Sequence, residues 1–174
     1  MNRKYLKLLN LFLGLILVIG MVGCNSNTDT NSGTNSDSNE IKETKLDFDK
    51  LLKYKDSFIG DNSAVSNIVY NLPGCSYNTK IELQTANEPY ELNLSYKKFK
   101  YLEVDLGEGE KVKLGFDDVL RKDAYIIFSL VNNVSIINFN IDGKDKITYK
   151  KEDIKDDLKS IINSEKSLKN FISK

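Results

Sequence analysis

The segment DDVLRKDAYIIFSLVNNVSIINFNIDGKDKITY, residues 117–149, changes from helical to strand-like spacing once along its length. Its first half predicts an amphipathic helix that begins near Asp117, its expected N-cap. The apolar face of that helix consists of Leu120, Ala124, Ile127, Phe128 and Val131. The second half is rich in β-favouring residues, and Asp142 and Gly143 supply a tight turn, so it predicts a β-hairpin. A central helix followed by a hairpin favours an α+β fold.

Two more hairpins are predicted before this segment, because apolar and polar residues alternate in four short stretches. These stretches are residues 81–84, 90–96, 102–106 and 112–116. Helical spacing predicts one helix from about Ser63 to Leu72 and a closing helix from Ile154 onwards, either continuous or divided after Ser164. We therefore predict one α+β domain over residues 46–174, with an antiparallel sheet built from hairpins and helices packed on one face.

The N-terminal residues predict secretion and anchoring. A basic stretch, MNRKYLK, precedes the apolar run LLNLFLGLILVIGMVG, and together they predict a lipoprotein signal peptide over residues 1–23. Residues 21–24, MVGC, resemble the bacterial lipobox, whose cysteine is acylated and becomes the new N-terminus. Lipidation is therefore predicted at Cys24, with palmitate as an expected chain and the lipid bilayer, at the outer face of the cytoplasmic membrane, as the partner. The alternatives are a signal peptide cleaved elsewhere and a retained membrane helix.

The residues after Cys24 predict a tether. Residues 25–45 are rich in Asn, Ser and Thr, and Ile41 is their only large apolar residue. Such a segment buries too little apolar surface to offset the entropy of ordering. We therefore predict that residues 24–45 form a lipidated, disordered tether that keeps the domain close to the membrane.

Charge and composition exclude several classes of function. The chain has 25 Lys+Arg and 25 Asp+Glu; subtracting Arg3, Lys4 and Lys7 of the signal peptide leaves 22 bases and 25 acids, a net charge of −3. Nucleic acid is therefore not a predicted partner. A histidine count of 0 removes the commonest general base and metal ligand. We predict no catalytic residue, no cofactor and no enzymatic activity.

Three polar motifs each have a structural and a functional interpretation. The row Gly60, Asp61, Asn62 and Ser63 is typical of a helix cap, and the alternative is an anion-binding site, which the charge of Asp61 disfavours.

The segment NFNIDGKD, residues 138–145, matches the first half of a calcium loop. Tyr149 stands where that loop requires a glutamate, so no metal site is predicted. The flanking residues are typical of strands, and Asn138 and Asn140 are therefore predicted on the solvent face of a hairpin. Cys75, the second cysteine of the chain, is interpreted as a small structural residue, because no histidine is present to activate it as a nucleophile.

Three segments, in order, resemble a known family. They are YKDSFIGDNSAVSNIVYNLPG (54–74), IELQTANEPYELNLSY (81–96) and AYIIFSLVNNVSIINFNI (124–141). The chain is similar over about residues 50–150 to an uncharacterised family of extracytoplasmic Gram-positive domains, domain of unknown function DUF4825. The most specific matching residues are Tyr54, Lys55, Gly60, Asp61, Asn62, Leu72, Pro73, Leu83, Gln84, Thr85, Pro89, Tyr90, Asn133 and Phe139. The resemblance implies a lipoprotein or a domain attached to a membrane-embedded sensor, and implies no assigned activity.

The sequence is consistent with two hypotheses of function. The first is a lipid-anchored, non-catalytic module that binds a protein or peptide, or senses one, at the cell surface, with edge strands that accept another chain. The second is a small-ligand receptor or a carboxylate-dependent envelope hydrolase, which requires a deep pocket with two converging acidic groups of raised pKa.

Overall fold

The computed structural model describes residues 42–158, 161 and 164–174. The predicted signal peptide, the predicted lipidation site Cys24 and most of the predicted tether lie outside the described residues.

Seven strands and five helices occur in the described residues. The strands are β1 (Glu43–Lys45), β2 (Asn78–Gln84), β3 (Glu91–Tyr96), β4 (Tyr101–Gly107), β5 (Glu110–Gly115), β6 (Ile136–Ile141) and β7 (Asp145–Lys150). The helices are α1 (Phe48–Leu52), α2 (Asn62–Val69), α3 (Phe116–Leu130), α4 (Lys151–Leu158) and α5 (Glu165–Ser173), and Cys75–Tyr77 forms a 3-10 turn. The predicted α+β fold class is confirmed.

The strands of the described residues form two sheets rather than the one that was predicted. The larger sheet has the order β2-β3-β6-β7, in which the predicted hairpins β2-β3 and β6-β7 are both antiparallel. A parallel pairing of β3 with β6 joins these two hairpins. The sheets are therefore mostly antiparallel, with a parallel pair at the centre of the larger one.

The smaller sheet has the order β1-β4-β5. Its β4-β5 hairpin was predicted, whereas β1 lies in the segment predicted to be tether and pairs in parallel with β4. The prediction that the tether extends to Lys45 was therefore wrong for Glu43–Lys45. Two contacts explain the ordering: pairing with β4 satisfies backbone groups, and the buried Thr44 lies 3.2 Å, oxygen to oxygen, from the hydroxyl of Ser76.

The core surrounds α3. Every residue of the predicted apolar face of this helix, from Leu120 to Val131, is at most 1% exposed. These residues join one hydrophobic cluster with alternate residues of the larger sheet, such as Leu92 on β3 and Phe139 on β6. Burial of a single large apolar side chain contributes about 1.5–3 kcal/mol, so this cluster is the main source of stability.

The helix ends differ in detail from the predictions. Helix α2 ends at Val69 rather than Leu72. The N-cap position of α3 is occupied by Gly115, so the prediction of Asp117 there was wrong; Asp117 lies in the first turn, where the helix dipole favours an acidic residue. The closing segment forms two separate helices, and Ser164 begins the second with a capping box.

Candidate functional site

The four-stranded sheet has one apolar and one polar face. On β3 the buried Leu92 and Leu94 alternate with the half-buried Glu91 and Asn93, which project to the opposite side. The strand register places polar side chains in rows across the sheet, and one row consists of Glu82, Asn93, Asn138 and Thr148. The polar face therefore presents side chains from all four strands.

Asn138 organises this polar face. Its Nδ2 donates to Glu91 Oε2 at 2.8 Å and to Asn93 Oδ1 at 3.0 Å, and its Oδ1 accepts from the Thr148 hydroxyl at 2.8 Å. The predicted solvent exposure of Asn138 was wrong: the residue is only 1% exposed, because these hydrogen-bonded neighbours cover it. Asn140, two residues further along, is half-buried.

The calcium-loop spacing of residues 138–145 falls on the end of β6 and the turn that follows it. Asp142 and Gly143 have φ angles of 51° and 69°, the left-handed values that a tight hairpin turn requires. Within the described residues, no group of three or more His, Cys, Asp or Glu side chains is arranged to hold a metal ion.

Strand β2 forms one edge of the sheet, which we call the β2 edge (Asn78–Gln84). Its half-buried Ile81 and Leu83 stand opposite the buried Leu94 and Leu92, on the core side. On the polar side, Lys80 and Glu82 are 62% and 51% exposed and form an ion pair of 2.9 Å. An edge strand with apolar residues on one side and alternating charges on the other can accept another strand.

The opposite edge of the sheet, β7, has a different character. Lys146 and Lys150 are both exposed on the polar side of this strand, and no acidic residue stands between them on that face. Lysine along an edge opposes the approach of another strand. The two edges of this sheet therefore differ in their capacity for pairing.

The predicted row of Gly60, Asp61, Asn62 and Ser63 is exposed at the start of α2. Asp61 is the N-cap residue, and its side chain accepts from the backbone N-H of Ala64 at 2.9 Å. Close by in sequence, the backbone N-H of Ile59 donates to Asn133 Oδ1 at 2.8 Å, which ties this loop to the end of α3. Capping accounts for the position of Asp61, and a binding role for the row stays a prediction.

A polar cluster that the sequence did not reveal lies in the core. Asp123 of α3 is 0% exposed; its Oδ2 accepts from the Tyr96 hydroxyl at 2.8 Å, and its carboxylate accepts from the backbone N-H of Gly74 at 3.2 Å. Burial raises the pKa of Asp123 to about 7, although these two hydrogen bonds act in the opposite direction. Burial, and secondly the charge of Asp123, raises the pKa of Tyr96 well above 10.

Gly74 is required at this cluster by close approach. A Cβ atom at this position would lie 2.5 Å from Asp123 Oδ2, 2.7 Å from Tyr96 Cε1 and 2.8 Å from Val119 Cγ1. The next residue, Cys75, is half-buried at the start of the 3-10 turn. The cluster thus fixes the connection between α2 and β2 against both α3 and β3.

A shallow depression of about 530 Å³ lies on another part of the domain, between α1, the end of β4 and α5. Its lining is mixed in charge, with Asp47, Asp49, Glu108 and Glu165 beside Lys45, Lys50 and Lys169. It does not contain Asp123, the buried carboxyl whose pKa is raised. Among the described residues, the depression and the carboxyl group of raised pKa are therefore at different places in the domain.

No helix of the described residues has both the length and the apolar character needed to cross a bilayer. Lipidation of Cys24 stays a prediction, since this residue lies outside the described residues.

The chain is similar to a known protein family. Residues 51–152 match the family described as Domain of unknown function (DUF4825). The chain belongs to the DUF4825 family. No curated protein and no solved structure matches. The matched part of the DUF4825 domain contains the whole four-stranded sheet, the β2 edge and the Asp123 cluster, whereas β1 and α5 lie outside it.

Asp123 and the burial of Asn138 were not predicted from the sequence, although signals for both were present. Asp123 follows Leu120 by three positions and precedes Ala124, so helical spacing already placed it at the margin of the apolar face of the DUF4825 core. Asn138 alternates with Ile137 and Phe139, and this alternation predicts which face of the strand Asn138 lies on. It does not predict which side chains cover that face.

Proposed function

We propose that this protein is a lipoprotein anchored at the outer face of the cytoplasmic membrane, whose DUF4825 domain is a non-catalytic, protein-binding module. The proposed ligand is an extended segment of another chain, which adds to the larger sheet at the β2 edge. Anchoring is supported by the sequence of residues 1–24 and binding by the structure of the edge.

The observation that carries the binding proposal is the chemistry of the β2 edge. Strand addition draws its affinity from backbone hydrogen bonds and its specificity from side chains that alternate between faces. The edge supplies both, because β2 is a terminal strand whose Ile81 and Leu83 are half-buried while Lys80 and Glu82 are exposed. An incoming strand would extend the apolar side over the core and meet opposite charges on the polar side.

The alternative of a ligand receptor or hydrolase has less support. It requires two acidic groups that converge in a deep pocket, with raised pKa values. In the described residues, Asp123 has the raised pKa, but it lies inside the core beside Tyr96 rather than beside a second carboxylate.

Site-specific photocrosslinking in intact cell membranes tests the proposal. A photoreactive residue at the exposed Gln84 of β2 is compared with one at the exposed Lys146 of β7. We expect a discrete protein adduct from position 84 and none from position 146. Equal yields at the two positions, or no adduct at either, would contradict binding at the β2 edge.

A further inference from the structure

The charge pattern of the β2 edge is complementary to that of a second β2 edge running in the opposite direction. Lys80, Ile81 and Glu82 place an apolar residue between two opposite charges, and the two charged side chains project to the polar face. We infer that the β2 edge pairs with the β2 edge of a second copy of this chain, in antiparallel orientation and centred on Ile81. This inference rests on the proposed function and names its partner.

The register follows from simple pairing. In an antiparallel pair centred on Ile81, that residue stands opposite its own copy, and each Lys80 stands opposite a Glu82. Residues directly opposite each other project to the same face, with Cβ atoms about 4.5–5.5 Å apart. Two cross-strand ion pairs then form on the polar face, and the two Ile81 side chains meet on the core side.

Neighbouring registers are unfavourable. Centring the pair on Lys80 places two lysines opposite each other, and centring it on Glu82 places two glutamates opposite each other. The Ile81 register is therefore selected by charge as well as by apolar contact. Two-fold pairing of this kind is isologous and closed, so it yields a dimer with a continuous sheet rather than a filament.

Strand β7, the second edge of the sheet, lacks this self-complementary charge pattern. On β7, centring a self-pair on Thr148 places Lys146 opposite Lys150, which gives two repulsive pairs. The charge pattern thus assigns self-pairing to β2, and β7 supplies matched control positions on the same face.

The test uses full-length protein with two different affinity tags, co-produced in one cell and purified from its membranes through one tag. Wild-type copies are expected to co-purify. Lys80→Glu introduced into both copies places glutamates opposite each other and should reduce co-purification about tenfold, as should Glu82→Lys in both copies. Both side chains are more than half exposed, at 62% and 51%, so neither change disturbs the core.

A mixed pair separates this contact from any other. A Lys80→Glu copy co-produced with a Glu82→Lys copy restores both cross-strand ion pairs and should co-purify as well as wild type. Lys146→Glu in both copies is the control and should leave co-purification unchanged.

Three results would overturn the inference: wild-type copies that do not associate, charge reversals without effect, or a mixed pair no better than the single variants. If position 84 crosslinks to a different protein while copies of this chain do not associate, the inference fails and the proposed function stands. If position 84 forms no adduct, both fail.

Discussion

Asp123 shows how the fold accommodates a carboxyl group in its core. An isolated buried charge would be strongly destabilising, so the group is held either protonated or hydrogen-bonded. The Tyr96 hydroxyl and the Gly74 N-H both donate to it. Cys75 lies close enough to contribute to the raised pKa of Tyr96. With a pKa of about 7, Asp123 changes charge near neutral pH.

Replacement of Asp123 by Asn should alter the pH dependence of stability. The folded state holds the Asp123 proton up to about pH 7, whereas an unfolded aspartate releases it near pH 4. Over that interval the folded state binds more protons, so the Asp123 contribution to the free energy of unfolding falls as pH rises, by a few kcal/mol at most, and is constant above pH 7.

Urea denaturation of both proteins from pH 4 to pH 8 measures this effect. The asparagine of the variant stays neutral and keeps an acceptor oxygen, so the difference in unfolding free energy, wild type minus Asp123→Asn, is expected to decrease from pH 4 to pH 7. Other titrating groups are common to both proteins and cancel. Parallel stability profiles would contradict the assigned titration of Asp123.

Gly74→Ala tests the close packing around this carboxyl. Gly74 has a φ of −84°, which alanine adopts readily, so any loss of stability arises from contact rather than from backbone strain. The added Cβ would lie within 2.8 Å of three side-chain atoms, and we expect destabilisation of about 1–3 kcal/mol, measured by urea denaturation. Gly60→Ala is the matched control, because the methyl group added there would have no atom within 4 Å. Equal effects at the two glycines would contradict the close approach at Gly74.

At the scale of elements, the hairpins and the central helix were predictable because each depends on local pattern. Alternation predicted the β4-β5 pair, and helical spacing predicted the start of α3 to within two residues. The parallel pairing of β3 with β6 was not predictable in this way. Alternation determines which face of a strand is buried but does not determine which distant strand lies beside it.

Strand β1 was missed for a related reason. Three residues are too few to show alternation, and the composition around Thr44 resembles the polar segment before it. Its order comes from β4 and from Ser76, which are distant in sequence. The candidate site shows the same division, since the edge residues of β2 were recognised as a strand from the sequence, whereas their position at a sheet edge required the topology.

At the scale of the whole molecule, the proposed anchoring and the proposed edge pairing reinforce each other. Copies attached to one membrane surface share a thin layer, which raises their effective concentration relative to copies free in solution. A short edge-to-edge contact is then more populated than it would be between free copies. The β2 self-pair therefore fits a lipid-anchored chain.

Replacement of each cysteine in turn tests the proposed lipid anchor. The chain has two cysteines, Cys24 and Cys75, so single replacements separate them. Metabolic labelling with a clickable palmitate analogue should label wild type and Cys75→Ser equally and leave Cys24→Ser unlabelled, because the acyl chains attach to the new N-terminal cysteine. Mass spectrometry of the mature protein should find an acylated peptide that starts at Cys24. Label retained in Cys24→Ser, or residue 1 still present in the mature protein, would contradict the proposed membrane anchor. It would also contradict the confinement at the membrane surface that favours the dimer.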